Sequence, residues 1–476
     1  MLKSPAYAVR SACAILLLLT AACSTEPGGG DGGGPATAEA GAVTDGSFPE
    51  DAANPEGGAA IDASSAVDSA QPEASVDAGT FTDATIVDAA PDVATAGDGS
   101  IVVDNAICHV EWPQPETYPG GPGTFELAVD PQGDAYVAIS YAGSLSVDLG
   151  VANPGYPVGI AIAKIDPQCN LVWMREFGAP QDAGATSMNG NIAVDATSSI
   201  TFAGWFVGTV DLGAGATPSV GELPEGFVMR LDTDGNVVFR NLYTLIEPSV
   251  LSVDSAGTAT ILSAALDPIS VTVKYAFVQI DASGNQVASQ TYASSDGIAP
   301  AILASYGGTL WASHAGSLAA LTTTGSTLWS EPFPDSGVAW FGAGPQGLVG
   351  VGATTSGEVV QAFGDGGGVV STTVNMLPSN APEATQVAIG STGTIYVGGT
   401  LPNPAQPSPD AECCVDHVGA QVLGPSGQLQ TLRIWQQGDF AMFGALAVDP
   451  SGNTFLGGAL GSFDGGFGYY VVKLGP

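Results

Sequence analysis

From residue 106 onward, apolar residues fall in short runs, each closed by a turn sequence. Leu127-Ala-Val-Asp130-Pro-Gln-Gly133 leads into Ala135-Tyr-Val-Ala-Ile139, and Leu446-Ala-Val-Asp449-Pro-Ser-Gly452 repeats the pattern near the C-terminus. Strand–turn–strand units of this kind recur with turns at positions 133, 198, 257, 308, 347, 393 and 452. Glycine stands at each of these except Ser198 and supplies the positive φ that such turns need. Short strands punctuated this regularly predict an all-β repeat fold.

Six of the seven units are followed by a second hairpin, as in Ala161-Ile-Ala-Lys-Ile-Asp166 to Phe177 and Phe227-Val-Met-Arg-Leu-Asp232 to Tyr243. Two hairpins make the four strands of one propeller blade. The seventh unit stops after its third strand, 469–474. Ile107-Cys-His-Val-Glu-Trp112 resembles Gln168-Cys-Asn-Leu-Val-Trp173, with Cys and Trp in register. The amino end of the domain is therefore expected to complete the last blade and close a seven-bladed β-propeller over 106–476. Closure removes sheet edges, and a monomer is expected.

The residues before the domain change the picture of where the protein acts. Lys3 and Arg10 flank no acid, 12–19 is apolar, and Thr20-Ala-Ala-Cys23 is small. Residues 1–22 are thus expected to be a signal peptide, with an apolar run shorter than the roughly 20 residues that span a bilayer. Thr20-Ala-Ala-Cys23 resembles the bacterial lipobox, with Thr20 where leucine is usual. That resemblance implies cleavage before Cys23 and lipidation of its sulfur. With Ser24 next, it implies an outer-membrane or cell-surface location. Residues 23–105 are expected to be a disordered tether, because 24–105 holds 16 acids, no Lys or Arg, and only Phe48 and Phe81 as aromatics.

Net charge is −38 for the whole chain. Within 106–476 there are 31 acids and 7 bases, a balance of −24. Nucleic acid is excluded as a partner, since its binding needs Lys and Arg at phosphates. The phrases Gly208-Thr-Val-Asp211-Leu-Gly, Phe227-Val-Met-Arg-Leu-Asp232 and Asp234-Gly-Asn-Val-Val-Phe239 resemble bacterial surface β-propeller repeats of the SBBP type. That resemblance implies a propeller and an exported location, and no catalytic residues. Leu318-Ala-Ala-Leu-Thr-Thr-Thr-Gly325-Ser-Thr-Leu-Trp329 resembles one repeat of the quinoprotein dehydrogenases. It occurs once where those enzymes repeat it, so no quinone cofactor is expected.

Chemistry-bearing patterns are few. His109, His314 and His417 fall in different predicted blades. Cys413-Cys414-Val-Asp416-His417 offers metal-ligand types, but an oxidised pair is the reading for an exported chain. Asp232-Thr-Asp234-Gly-Asn236 is superficially like a calcium loop without its distal glutamate, so calcium is a minor alternative to a hairpin turn. Beyond Cys23, the candidate disulfide residues are Cys108, Cys169, Cys413 and Cys414. The last two are expected on the opposite face from the first two. A cross-face bridge would exceed the roughly 7 Å Cα limit, which leaves Cys108–Cys169 and Cys413–Cys414. For the first pair to meet, Cys108 is expected to precede the closing strand.

Loop length is the best pointer to function. The connections 141–158, 206–225 and 401–417, in predicted blades 1, 2 and 6, are long and share one face; long loops on a rigid scaffold carry function. Asp148 and Asp211 each precede Leu-Gly there, and Asp464 lies nearby in blade 7; turn capping is the competing role for all three. The leading expectation is a surface-tethered binding module for a protein or glycan. The alternative is an extracytoplasmic enzyme acting on polysaccharide through such carboxylates. A structural spacer is the third.

Overall fold

Aspartate opens most of the hairpins, and a residue with positive φ turns them. Asp130 Oδ1 accepts the N–H groups of Gln132 and Asp134, both at 2.9 Å. Asp166, Asp195, Asp232, Asp254, Asp281 and Asp449 repeat this arrangement at their own turns. All seven turn positions have positive φ, from 62° at Ser198 to 94° at Gly347. Where blades 5 and 6 put Gly364 and Gly390 in place of the aspartate, backbone bonds close the turns, with a Thr392–Thr394 hydroxyl bond beside the second.

The computed structural model describes residues 100–476 apart from 104–105, 115–123, 143–155, 181–186, 220–223, 244–245, 268–271, 293–300, 315–316, 333–337, 355–356, 365, 376–382, 402–416, 437–439 and 462–466. Blades 1 to 6 run over 125–178, 187–243, 246–292, 301–332, 338–375 and 383–436, each built on four antiparallel strands; within blade 2 a small hairpin, 209–218, intervenes and joins the sheet of blade 1. Blade 7 takes three strands from 440–474 and its outer strand, Ala106–Gln114, from the other end of the chain. The innermost strands pack side by side around the ring, and Phe440–Val448 meets Phe125–Val129 where it closes. This is the seven-bladed propeller expected from the repeats.

The core lies between blades. Ile160 and Ile162 of blade 1 pack with Phe202, Phe206 and Phe227 of blade 2, and comparable clusters fill the other six junctions. The basic side chains are used at the same junctions. Lys164 is 2.9 Å from Asp134, Lys473 is 3.4 Å from Asp449, and Arg230 pairs with Asp195. Lys164, Arg230, Arg433 and Lys473 are all buried. Removing one partner of such a pair costs about 3–5 kcal/mol by stranding the other charge.

Two expectations change. The segment 23–105 is not wholly a tether, because Ser100–Val103 pairs in parallel with Thr431–Ile434 on the outer edge of blade 6. The cause is local: Leu432 and Ile434 on that edge form a small cluster only 2% and 7% exposed, and the Ser-Ile-Val-Val run favours a strand. The second change concerns register. Cys108 belongs to the closing strand and pairs with Lys473, as Trp173 pairs with Lys164 in blade 1. Cys108 is therefore the counterpart of Trp173, not of Cys169, and the sequence match of Cys and Trp was offset by four residues.

That position explains how Cys108 reaches its partner. In blades 1, 2 and 4 this position holds an aromatic, Trp173, Phe239 or Trp329, that lies on the next blade's second turn. A Cβ on Gly235 would be 2.9 Å from the Trp173 ring, and one on Gly284 would be 2.7 Å from Phe239. Trp173 Nε1 also donates to the Thr233 carbonyl at 2.9 Å. At the junction of blades 7 and 1, Cys108 stands in the aromatic's place and the turn residue is Cys169, with φ 61°. The two form a disulfide with Cα atoms 5.8 Å apart. Cys413 and Cys414 lie outside the described residues.

Between blades 5 and 6, Gln421 Nε2 donates to Glu358 Oε2 at 2.9 Å, and both side chains are buried. Burial pushes the Glu358 carboxyl up to about 7, opposed by the bonds from Gln421 and Asn375.

Four outcomes are expected from this fold. Truncation to residue 99 should leave the melting temperature unchanged. Truncation through Gln114 should abolish cooperative melting, because it removes the closing strand; Cys169→Ser should cost about 3 kcal/mol by loss of the cross-link. Equal melting of the two truncations overturns the closure. For Glu358, the unfolded chain releases its proton above about 4.5 and the folded chain above about 7. The folded state holds the extra proton between these values, so stability falls as pH rises from about 4.5 to 7, by about 3 kcal/mol. Denaturant titrations of Glu358→Gln across that range should show a correspondingly shallower fall.

Candidate functional site

At the end of the sheet opposite the turns, the described part of the blade 2 connection, 208–219, reaches the outer strand of blade 1 at Gly178. Strand Ala135–Ala142 carries Tyr141 directly across from Gly159 of strand Val158–Ile165. A Cβ on Gly159 would stand 2.8 Å from the Tyr141 hydroxyl, so the glycine lets the ring lie flat over the backbone. The ring reaches the outer strand, where the Tyr141 hydroxyl donates to Glu176 Oε2 at 3.2 Å. Gly178 does the same for the next aromatic: a Cβ there would be 2.9 Å from Tyr156 Cβ.

The electrostatics are those of crowded acids. Burial, with the Glu176 charge beside it, pushes the Tyr141 hydroxyl far above its ordinary value. Burial raises Glu176, and the bond from Tyr141 partly offsets this. Tyr156 is raised by burial first and then by the charges of Asp211 and Glu176. Tyr156 therefore sits within the fields of two carboxylates from different blades.

Asp211 arrives in a small hairpin, Thr209–Asp211 with Ala216–Pro218, which extends the sheet of blade 1 through Gly178. Its Oδ1 accepts the N–H groups of Gly213, Ala214 and Gly215 at 2.8, 3.1 and 2.9 Å. Val210 and Leu212 on either side are fully buried between blades 1 and 2. The Asp-Leu-Gly phrase here plugs a junction and caps a turn. One carboxylate oxygen of Asp211 is thus spent on structure, although the residue borders the Tyr156 cluster.

The other sequence candidates are not gathered here. Asp148, Asp464 and Cys23 lie outside the described residues. Asp232 is a turn opener like its fellows, with Oδ2 accepting Asn236 Nδ2 at 3.0 Å. His109 lies on the closing strand, His314 ends a strand of blade 4, and His417 is buried at the start of a blade 6 strand. Tyr141, Tyr156 and Glu176 were not singled out from sequence. Their signal is the pair of glycines, Gly159 and Gly178, in otherwise well-filled strands.

Tyr156 with the two carboxylates, Glu176 and Asp211, makes a surface that accepts hydrogen bonds and attracts cations, while Tyr141 is buried with its hydroxyl held by Glu176. Tyr156, half-buried, also offers a ring for stacking against an apolar or sugar face.

No protein-family model matches the chain, and no curated protein matches it in sequence. Among solved structures, BamB from Moraxella catarrhalis is 15% identical, with TM-score 0.34 over 79% of this chain and 95% of that one. The Pan2 WD40 domain of Neurospora crassa is 11% identical, with TM-score 0.39 over 76% and 95%. A protein of unknown function from Bacteroides caccae is 11% identical, with TM-score 0.35 over 62% and 98%. At these values the likenesses carry no functional argument, and the propeller assignment rests on the sheet topology of the chain itself.

Proposed function

We propose that the chain is an exported lipoprotein with SBBP-like repeats, whose propeller binds a protein or glycan at the rim shared by blades 1 and 2. The observation that carries this reading is the Tyr141–Glu176 hydrogen bond beside Tyr156 and Asp211, at the end of the sheet opposite the turns. A ligand presenting a cation or clustered hydroxyl donors suits that chemistry. The acidic balance of the domain adds attraction for cationic partners and opposes nucleic acid. Lipid on Cys23 would hold the domain at the outer membrane or cell surface, on a tether from 24 to about 99.

A second reading is favoured by one observation. Glu176 has its carboxyl raised and lies near a second acid, Asp211, as in enzymes that cleave glycosidic bonds with paired carboxylates. Asp211 is compromised in this role by the three N–H groups on its Oδ1.

A glycan and protein binding array with the intact protein tests the first reading. Any ligand found should lose at least about tenfold in affinity, or about 1.4 kcal/mol, on Tyr156→Ala and on Glu176→Gln. Unchanged binding by both variants moves the site elsewhere. Release of reducing sugar that disappears in Glu176→Gln would support the second reading instead. For the anchor, cells fed a labelled fatty acid should lipidate the native chain and not Cys23→Ser; label retained by the variant overturns the assignment.

A further inference from the structure

Ring closure satisfies the junctions between blades, but each blade still ends in an outer strand with one open side. The open sides are guarded differently. Blade 1 has Arg175 and Glu176 on its outer strand, blade 2 has Arg240, and blade 4 has Glu331 and Pro332. Blade 7 has Glu111 and Pro113, and the edge of blade 6 is covered by Ser100–Val103. Charge, proline and covering strands are the usual means of keeping an edge from pairing with another chain.

The outer strand of blade 5, Val369–Asn375, has none of these. Its sequence, VVSTTVN, is uncharged and rich in β-branched residues, and among the described residues no strand pairs with its outer side. Val370 is 69% exposed and Val374 51%. The inner-facing residues are fixed: Thr373 Oγ1 donates to the Ser426 carbonyl and Asn375 Nδ2 to the Gly427 carbonyl of blade 6. The strand is thus held extended with its edge open.

The strand is also complementary to itself. Antiparallel pairing with a twin about a dyad at Thr372 sets Val370 opposite Val374, Ser371 opposite Thr373, and Thr372 opposite itself. Such β-branched and hydroxyl pairs stabilise a ladder, and a two-fold axis makes every contact occur twice. Charge narrows the choice of edge, because two copies of a chain with net charge −38 repel wherever acids face each other. The outer strand of blade 3, Gln286–Tyr292, is also uncharged, but a dyad at Ser289 would set Ala288 opposite Gln290, a poorer match. We propose that the outer edge of blade 5 is a homodimerisation edge, in which Val369–Asn375 of two copies pair antiparallel about Thr372. This replaces the monomer expected from sequence.

Sedimentation velocity on the intact protein tests it. A dimer should appear with rising concentration. It should strengthen when salt is raised from about 0.01 to about 1 M, which shortens the Debye length from about 30 to about 3 Å. Thr372→Lys, placing like charges opposite each other at the dyad, should raise the dissociation constant at least about tenfold, while Ser289→Lys in blade 3 should leave it unchanged. Thr372→Cys should cross-link two copies under mild oxidation, and Ser289→Cys should not. Both positions are exposed, and unchanged melting curves would verify that the variants fold. A monomer at every salt concentration without cross-linking of Thr372→Cys overturns the proposal, as does a dimer that survives Thr372→Lys.

Discussion

The whole structure depends on joining blade 7 to blade 1. A propeller has no central core; each blade is stabilised only by the two it touches. An open ring would therefore expose two apolar faces at once, here those that carry Phe455 and Val471 on one side and Val137 and Ala163 on the other. One short segment near the amino end handles the seam. Ser100–Val103 attaches to blade 6, Ala106–Gln114 completes blade 7, and Cys108 bonds covalently to blade 1. The disulfide stands where three other junctions place an aromatic ring on a glycine turn. The weakest junction in a ring, the one made by distant parts of the chain, thus receives the one covalent contact seen among the described residues. Lys473 adds to it by donating to the Pro167 carbonyl of blade 1.

Charge is partitioned by the same architecture. Four of the described cations, Lys164, Arg230, Arg433 and Lys473, are drawn inside, between blades, to the ends of the sheets where the turns lie. Lys164, Arg230 and Lys473 occupy matching places on third strands and meet the aspartates that open or follow turns. Acids without a cation partner are found both at the surface, as Asp234 and Asp254 are, and buried, as Glu358 is.

The two ends of each sheet have divided roles. At the turn end, aspartates such as Asp232 and Asp281 commit both oxygens to their own hairpins, and the geometry repeats from blade to blade. At the other end, connections differ in length, and glycines at 159 and 178 make room for tyrosines over the strands. Variation, and with it the chance of selective binding, is concentrated there.

The sequence by itself determined the number of blades, their boundaries and the use of the amino end to close the ring. It could do so because these features follow from local chemistry: an aspartate that captures two N–H groups, a residue that tolerates positive φ, and alternating runs that favour strands. It misjudged what depends on register between distant strands. Cys108 resembled Cys169 in its neighbourhood, yet pairing with Lys473 made it the counterpart of Trp173. Ser100–Val103 read as tether because its partner, Leu432 and Ile434, lies more than three hundred residues away. For Asp211 the sequence left two roles open, a ligand-face acid or a turn cap, and the fold shows its Oδ1 filled by three N–H groups. Tyr141, Tyr156 and Glu176 come from separate strands and a loop, so only the tertiary structure could bring them together. Local turns are written in adjacent residues; sites and seams are made where residues far apart in the chain are packed side by side.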